Sequence, residues 1–300
     1  MINRSELNTE KQNKKSNNID SMSILNILST INEEDHTISF AVKKAIPSIE
    51  KAVKFSLESI STGGRVFYIG AGTSGRLGVL DASEIPPTFS VEKNKFIGLI
   101  AGGDKALTIS IEGAEDNRET IIKELKSYKL NKKDTLIGIS CSGAAAYVVS
   151  GLEYANKTGS KTVYLVTNPK PYFMTDVDTI IHVDTGAEIV TGSTRMKAGT
   201  ATKMVLNMIS TATMIKLGKV YGNLMVDLMA INKKLMDRGT RIVSQVTGSD
   251  YINSKKILLK ANRSVKSAIV MQYLDCSLGE AEKEIEKSNG YLSKIIKLKK

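Results

Sequence analysis

Two glutamates and two clusters of hydroxyls are the residues whose types and spacing can do chemistry in this chain of 300 amino acids. Thr73 and Ser74 lie inside Gly70-Ala-Gly-Thr-Ser-Gly75, and Ser140 and Ser142 lie inside Ser140-Cys-Ser-Gly143. Each cluster ends an apolar run and opens a helical pattern. Hydroxyls combined with free N–H groups at a helix start suit a phosphate monoester. Glu84 stands just before Pro86-Pro87, where a carboxylate between a helix end and a rigid turn is positioned rather than free. Glu115, within Glu112-Gly-Ala-Glu-Asp116, follows a Gly102-Gly103 turn. Together the two acids can act as general acid and general base. Plainer roles exist for each group: Ser140 and Ser142 as helix caps, Glu84 as an exposed helix-end acid, Glu115 as an acid complementing a helix dipole.

Gly70-x-Gly-x-x-Gly75 also satisfies the dinucleotide fingerprint. That fingerprint expects an acid about 20 residues on, at the end of the next strand. Here the next apolar run ends in Ala101-Gly-Gly, with Asp104 later still, and hydroxyls fill both variable positions before the third glycine. A phosphate monoester is favoured, with a dinucleotide and a purely structural turn as the alternatives.

The elements that must hold these groups are legible as alternation. Apolar runs at Val66–Ile69, Phe96–Ala101, Thr135–Ser140, Thr162–Val166 and Thr179–Val183 are each followed by a polar or helical stretch. This predicts an α/β fold, a parallel sheet with helices on both faces, and places the chemistry in the loops beyond the strand ends. Ahead of the sheet, residues 1–20 form a polar arm, disordered or reaching to a partner subunit. A short amphipathic helix follows from Ser23, then a longer one over Ile38–Phe55 that Pro47 kinks or splits. A helix rich in apolar residues spans Met196 to about Leu217. Beyond about Asp237 the chain turns polar, then helical again over Lys255–Asn262, Val265–Tyr273 and Leu278–Ser288, ending in Lys294, Lys297, Lys299 and Lys300.

The net charge of +11 raises the question of nucleic acid. The lysines and arginines are spread along the chain and gather mainly at its end, with no basic stripe interleaved with aromatics, so no nucleic-acid partner is expected. Only Cys141 and Cys276 occur, too few for a disulfide framework, and a cytoplasmic location is expected. Asn3, Arg4, Ser5 and Glu6 follow Met1 where a leader would need an apolar core. No apolar run approaches the roughly 18 residues that span a bilayer, so no membrane partner is expected. His36 and His182 lack ligand-spaced neighbours, and no metal is expected.

Gly70-Ala-Gly-Thr-Ser-Gly-Arg-Leu-Gly-Val-Leu-Asp-Ala-Ser-Glu84 with Pro86-Pro87-Thr88-Phe89, Glu112-Gly-Ala-Glu-Asp116 and Gly192-Ser-Thr-Arg-Met-Lys-Ala-Gly-Thr200 closely resemble the N-acetylmuramic acid 6-phosphate etherases. The likeness runs from about Ile31 to the helical C-terminus. It implies a SIS (sugar isomerase) sugar-phosphate domain over residues 21–240 and a helical module over 241–300. The implied partner is a small-molecule sugar phosphate, the implied assembly a homodimer, and no cofactor is implied. The implied reaction cleaves the D-lactyl ether of N-acetylmuramic acid 6-phosphate. Glu84 matches the family's proton donor and Glu115 its second acid–base residue, assigned to proton transfer at C2. By the same resemblance Thr73, Ser74, Ser140, Ser142, Ser193 and Thr194 contact phosphate or sugar, and Lys197 adds a positive charge.

Three departures accompany it. Ser142-Gly-Ala-Ala-Ala146 stands where the family usually has Ser-Gly-Arg-Thr-Pro, Ile85 replaces a usual cysteine, and Thr9-Glu10-Lys11-Gln12-Asn13 lacks the arm's arginine. The first removes a cation beside the expected phosphate and motivates an alternative: a non-catalytic sugar-phosphate sensor similar to the glucokinase regulatory protein. An aldose–ketose isomerase is a third reading.

Overall fold

The computed structural model describes residues 4–228, 230 and 232–296; Lys297, Lys299 and Lys300 of the basic C-terminal end lie outside them. Five short strands, β1 (Val66–Gly70), β2 (Phe96–Ile100), β3 (Thr135–Ile139), β4 (Lys161–Val166) and β5 (Thr179–His182), form a wholly parallel sheet in the order β2-β1-β3-β4-β5. Each coincides with a predicted run to within a residue at either end. Parallel strands need crossovers, supplied here by α2 (Gly72–Phe89), α3 (Arg118–Ser127) and α4 (Ala146–Lys157). Alternate residues of β1 face opposite layers. Phe67 and Ile69 pack with Ile121, Leu125, Val148 and Leu152 of α3 and α4, while the Tyr68 hydroxyl donates to Asp81 of α2 at 3.1 Å. Helices therefore cover both faces, which is why the strands read as continuous apolar runs. Asp134, fully buried ahead of β3, accepts from the Arg65 backbone at 2.9 Å and from its guanidinium at 2.8 and 3.2 Å, tying the starts of β1 and β3 together.

Two expectations about helices need correction. Residues 24–61 form one uninterrupted 38-residue helix, α1, rather than two. Pro47 lies on its exposed side, so the carbonyl four residues earlier, which loses its N–H partner, belongs to exposed Lys43, where solvent can reach it. Pro86 and Pro87 do not stop α2 either. They fall in its last turn and a half, where the proline dihedral is helical and only two ladder bonds are forfeited, and the helix runs on to Phe89.

The N-terminal arm is a series of single 3-10 turns folded back on its own chain. Thr9 is fully buried, as are nearly all of Leu7 and Ser16. The helix expected from Met196 is α5 (Lys197–Lys216), with Val205, Leu206 and Ile209 fully buried but Met208 and Ile215 exposed.

The chain divides into two compact units, residues 1–83 with 94–210, and residues 84–93 with 211–300. In the second unit a two-stranded antiparallel hairpin, β6 (Val220–Tyr221) and β7 (Leu224–Met225), precedes α6 (Lys233–Thr247), α7 (Tyr251–Lys260), α8 (Val265–Leu274), α9 (Leu278–Lys287) and α10 (Leu292–Ile295). Val243, Leu258, Val265 and Ile269 centre its core. The nearly buried Lys266 ammonium donates to the carbonyls of Gly218 at 2.9 Å and Gly290 at 3.0 Å and pairs with Asp227. Among the described residues, no helix is long and apolar enough to cross a membrane.

Candidate active site

The strand order places β1 and β3 side by side while their following connections diverge, the switch point at which open α/β sheets bind ligands. A cleft of about 330 Å³ opens there. The β1–α2 turn contributes Ala71, Gly72, Thr73, Ser74 and Arg76, and the β3–α4 loop Ser140, Cys141, Ser142 and Ala145. Ser193, Thr194 and Arg195 come from the segment before α5, and Glu115 from a 3-10 turn before α3. Of the residues expected at a site, Thr73, Ser74, Ser140, Ser142, Ser193, Thr194 and Glu115 thus share one cleft.

Local chemistry explains the shape. Gly72 starts α2 with φ +53°, a conformation that favours glycine, and turns the N-terminus of the helix toward the cleft. A Cβ on Gly75 would stand 2.6 Å from the Gly70 carbonyl oxygen and 2.6 Å from Ile100 Cγ1, so this glycine serves helix–strand packing. The third glycine of the dinucleotide fingerprint has the same packing role, so this position alone does not call for a dinucleotide. The first turn of α2 carries no acid, and its free N–H groups and dipole favour an anion. Across the cleft, Ser140 Oγ accepts from the Ala145 N–H at 3.4 Å and Ser142 Oγ from the Ala144 N–H at 3.2 Å. Neither serine caps α4, whose N-cap is Ala145; each orders the loop, and a hydroxyl that accepts from its own loop keeps its O–H to donate to a ligand. Ser74 Oγ lies 3.5 Å from Cys141 Sγ, linking the two loops. Burial pushes the Cys141 thiol up, against weaker hydrogen bonds from Ser74 and Thr167, so the sulfur stays protonated.

Two guanidiniums in the cleft were not foreseen. Arg76 Nε donates to the Leu107 carbonyl and Nη2 to that of Ile109, each at 3.2 Å, which holds the 107–109 loop and leaves further donors free. Arg195 is exposed, with no side-chain hydrogen bond or ion pair among the described residues. A signal for it existed: it sits between Thr194 and Lys197 in the Gly192–Thr200 motif. A second cavity of about 210 Å³ adjoins the first, sharing Ala71, Gly72, Arg76 and Glu115 with it and adding the apolar Ala101, Ala106 and Ile111.

Two expected residues are placed elsewhere. Lys197 is 3 % exposed, and its ammonium is directed at Glu34 Oε2 at 2.7 Å and the Ala187 carbonyl at 3.1 Å. It does not line the cleft; its charge is committed to a buried acid on α1. Burial alone would raise the Glu34 carboxyl, but hydrogen bonds from Lys197, Lys15 and Asn13 hold it at about 2. Fully buried Glu188 accepts from the backbone N–H of Lys197 at 3.0 Å and of Ala198 at 2.9 Å, closing the start of α5. Burial raises its carboxyl. Glu84, meanwhile, is exposed on α2, nearly three turns beyond Ser74, and is not among the residues lining the cleft.

Residues 48–156 match the family model of the glucokinase regulatory protein N-terminal SIS domain. The N-acetylmuramic acid 6-phosphate etherase of Bacillus cytotoxicus is 49% identical over 290 residues, 97% of this chain and 99% of its own. That of Bacillus cereus strain AH820 is 50% identical over the same shares of both chains. Among solved structures, a phosphoheptose isomerase from Neisseria gonorrhoeae matches 64% of this chain and 99% of its own at 14% identity, with a TM-score of 0.48. The 49–50% identity to these etherases along nearly the whole of both chains shows that the chain belongs to the N-acetylmuramic acid 6-phosphate etherase family.

Proposed function

We propose that this protein is a cytoplasmic enzyme cleaving the D-lactyl ether of N-acetylmuramic acid 6-phosphate to N-acetylglucosamine 6-phosphate and D-lactate, in the catabolism of cell-wall amino sugars. The observation that carries the reading is the convergence of six hydroxyls, a helix N-terminus and Glu115 on one cleft at the sheet's switch point.

The phosphate is assigned to the Thr73–Ser74 turn and the facing Ser140, Ser142, Ser193 and Thr194 hydroxyls. Arg195 supplies the cation that the Ala144-Ala-Ala146 segment lacks, and a charge-assisted contact of this kind is about twice as strong as a neutral hydrogen bond. With the phosphate anchored, the open-chain sugar places its reacting carbons near Glu115. The hydrogen on C2 is acidic because it is α to the aldehyde. Glu115 removes it, the C3–O bond breaks, and the departing lactate oxygen takes a proton from Glu84. Water then adds to C3 of the unsaturated aldehyde, and a proton returns to C2.

Glu84 lies too far along α2 from Ser74 to face the same cleft from that turn. A homodimer in which a second copy presents Glu84 to this cleft satisfies both placements. Turnover of N-acetylmuramic acid 6-phosphate in D2O tests the chemistry. D-lactate and N-acetylglucosamine 6-phosphate should appear in equal amounts, the latter with deuterium at C2. Unlabelled product would overturn the elimination, and a rearranged sugar with its lactyl group intact would overturn ether cleavage.

A further inference from the structure

The two hydroxyl-bearing walls of the cleft, Ser140–Ser142 and Ser193–Arg195, come from distant parts of the chain; a side-chain hydrogen bond between Cys141 and Thr194 joins them directly, and the N-terminal arm joins them a second time. Asn168, fully buried just beyond β4, donates through Nδ2 to the Cys141 carbonyl at 3.0 Å and to Thr9 Oγ1 at 3.2 Å. Its Oδ1 accepts from the Thr9 N–H at 3.3 Å. The Thr9 carbonyl in turn accepts from the Gly192 N–H at 3.0 Å, the residue immediately before Ser193. An unbroken chain of hydrogen bonds therefore runs from Cys141 through Asn168 and Thr9 to Gly192.

The rest of the arm fastens the same segment further back. Asn8 donates to Asp184 at 3.0 Å, Asn13 to the Ala187 carbonyl at 3.3 Å, and Ser16 to the Ile189 carbonyl at 2.7 Å. All these anchors fall between residues 184 and 192, the approach to the Ser193–Arg195 wall. From this geometry we infer that residues 7–16 are an intramolecular strap that sets the spacing between the two walls, with Thr9 and Asn168 as its positioning residues for the phosphate group. The inference rests on the reading of the cleft as a sugar-phosphate site.

A strap that places ground-state contacts acts on binding, so its loss raises KM and leaves kcat nearly unchanged. The test uses full-length Asn168→Ala, Thr9→Val and Thr9→Ser with N-acetylmuramic acid 6-phosphate as substrate, together with hydrogen exchange at the Gly192 amide. Asn168→Ala removes three hydrogen bonds and should raise KM by roughly tenfold or more with kcat within about twofold of wild type. Thr9→Val removes only the hydroxyl bond, keeps the backbone bonds and should raise KM several-fold; Thr9→Ser restores the wild-type value. In Asn168→Ala the Gly192 amide should exchange at least about tenfold faster. Faster exchange with an unchanged KM would overturn the inference, since the arm would then hold the segment without setting the cleft. A fall in kcat at constant KM would overturn it too. Should the wild type release no D-lactate, the substrate assignment fails, and the strap is then decided by Gly192 exchange alone, an unchanged rate refuting it.

Discussion

The Glu34–Lys197 pair gives the sharpest energetic prediction. Both side chains are nearly buried, at 8% and 4% exposure, and their charged atoms are 2.7 Å apart. Removing one partner of such a pair strands the other, typically at a cost of about 3–5 kcal/mol. Lys197→Met should fall at the lower end, near 3 kcal/mol, because Glu34 keeps Lys15 at 2.9 Å and Asn13 at 2.8 Å. Glu34→Gln strands the better-buried ammonium and should cost more. The double variant should cost less than the sum of the singles, with a coupling of about 2 kcal/mol. Acid supplies an independent measure. The Glu34 carboxyl is held at about 2 against an ordinary 4.5, which corresponds to about 3 kcal/mol of stability at neutral pH. Because the folded-state value is depressed, this stability is fully present above pH 4.5 and disappears as pH falls toward 2. Urea unfolding of wild type and Glu34→Gln from pH 7 to pH 2.5 reads both effects. The two stability curves should converge below pH 4.5. Parallel curves, or strictly additive single substitutions, would refute the account of the pair.

Three further outcomes follow from the geometry. Gly98→Ala would bring a Cβ to 2.5 Å from Val79 Cα and 2.8 Å from its backbone nitrogen, main-chain atoms that cannot turn aside, so thermal melting should report a loss of at least about 2 kcal/mol. Ser74→Ala and Thr194→Ala each delete a hydroxyl assigned to a doubly charged phosphate and should raise KM about tenfold with smaller changes in kcat, measured by steady-state lactate release; an unchanged KM in both would remove the phosphate from this cleft. If a second copy completes each site, mixing inactive Glu84→Ala and Glu115→Ala subunits should recover about a quarter of wild-type activity, because half of the randomly assorted dimers carry one intact site. No recovery after verified subunit exchange would contradict the shared site.

How far the sequence disclosed this differs by element. The strands were readable because buried parallel strands are unbroken apolar runs, as Val66–Ile69 and Leu136–Ile139 show, and the strand ends led directly to the hydroxyl loops. Helix ends were harder: Pro47 suggested a break, but a proline on an exposed helix face forfeits one bond to a carbonyl that water can satisfy. Helix α6 passed for a polar stretch because Leu235, Met236, Ile242 and Val243 make a narrow stripe on a largely charged surface. Partners distant in sequence left no local trace. Lys197 looked like a site cation, yet its partner Glu34 lies 163 positions away. The arm looked free because its polar groups are satisfied by the carbonyls of Ala187 and Ile189, the Gly192 N–H and the side chains of Asn168 and Asp184, which no periodicity marks.

The central claim is that Glu115 and Glu84 act on a lactyl ether of a sugar phosphate anchored by these hydroxyls. Initial rates of D-lactate release from N-acetylmuramic acid 6-phosphate by wild type, Glu84→Ala and Glu115→Ala, each shown to be folded, address it most directly. Rapid release by the wild type, with a loss of at least about a hundredfold in both variants, is the predicted result. A wild type that releases no D-lactate, or a Glu115→Ala variant that keeps the wild-type rate, would contradict it.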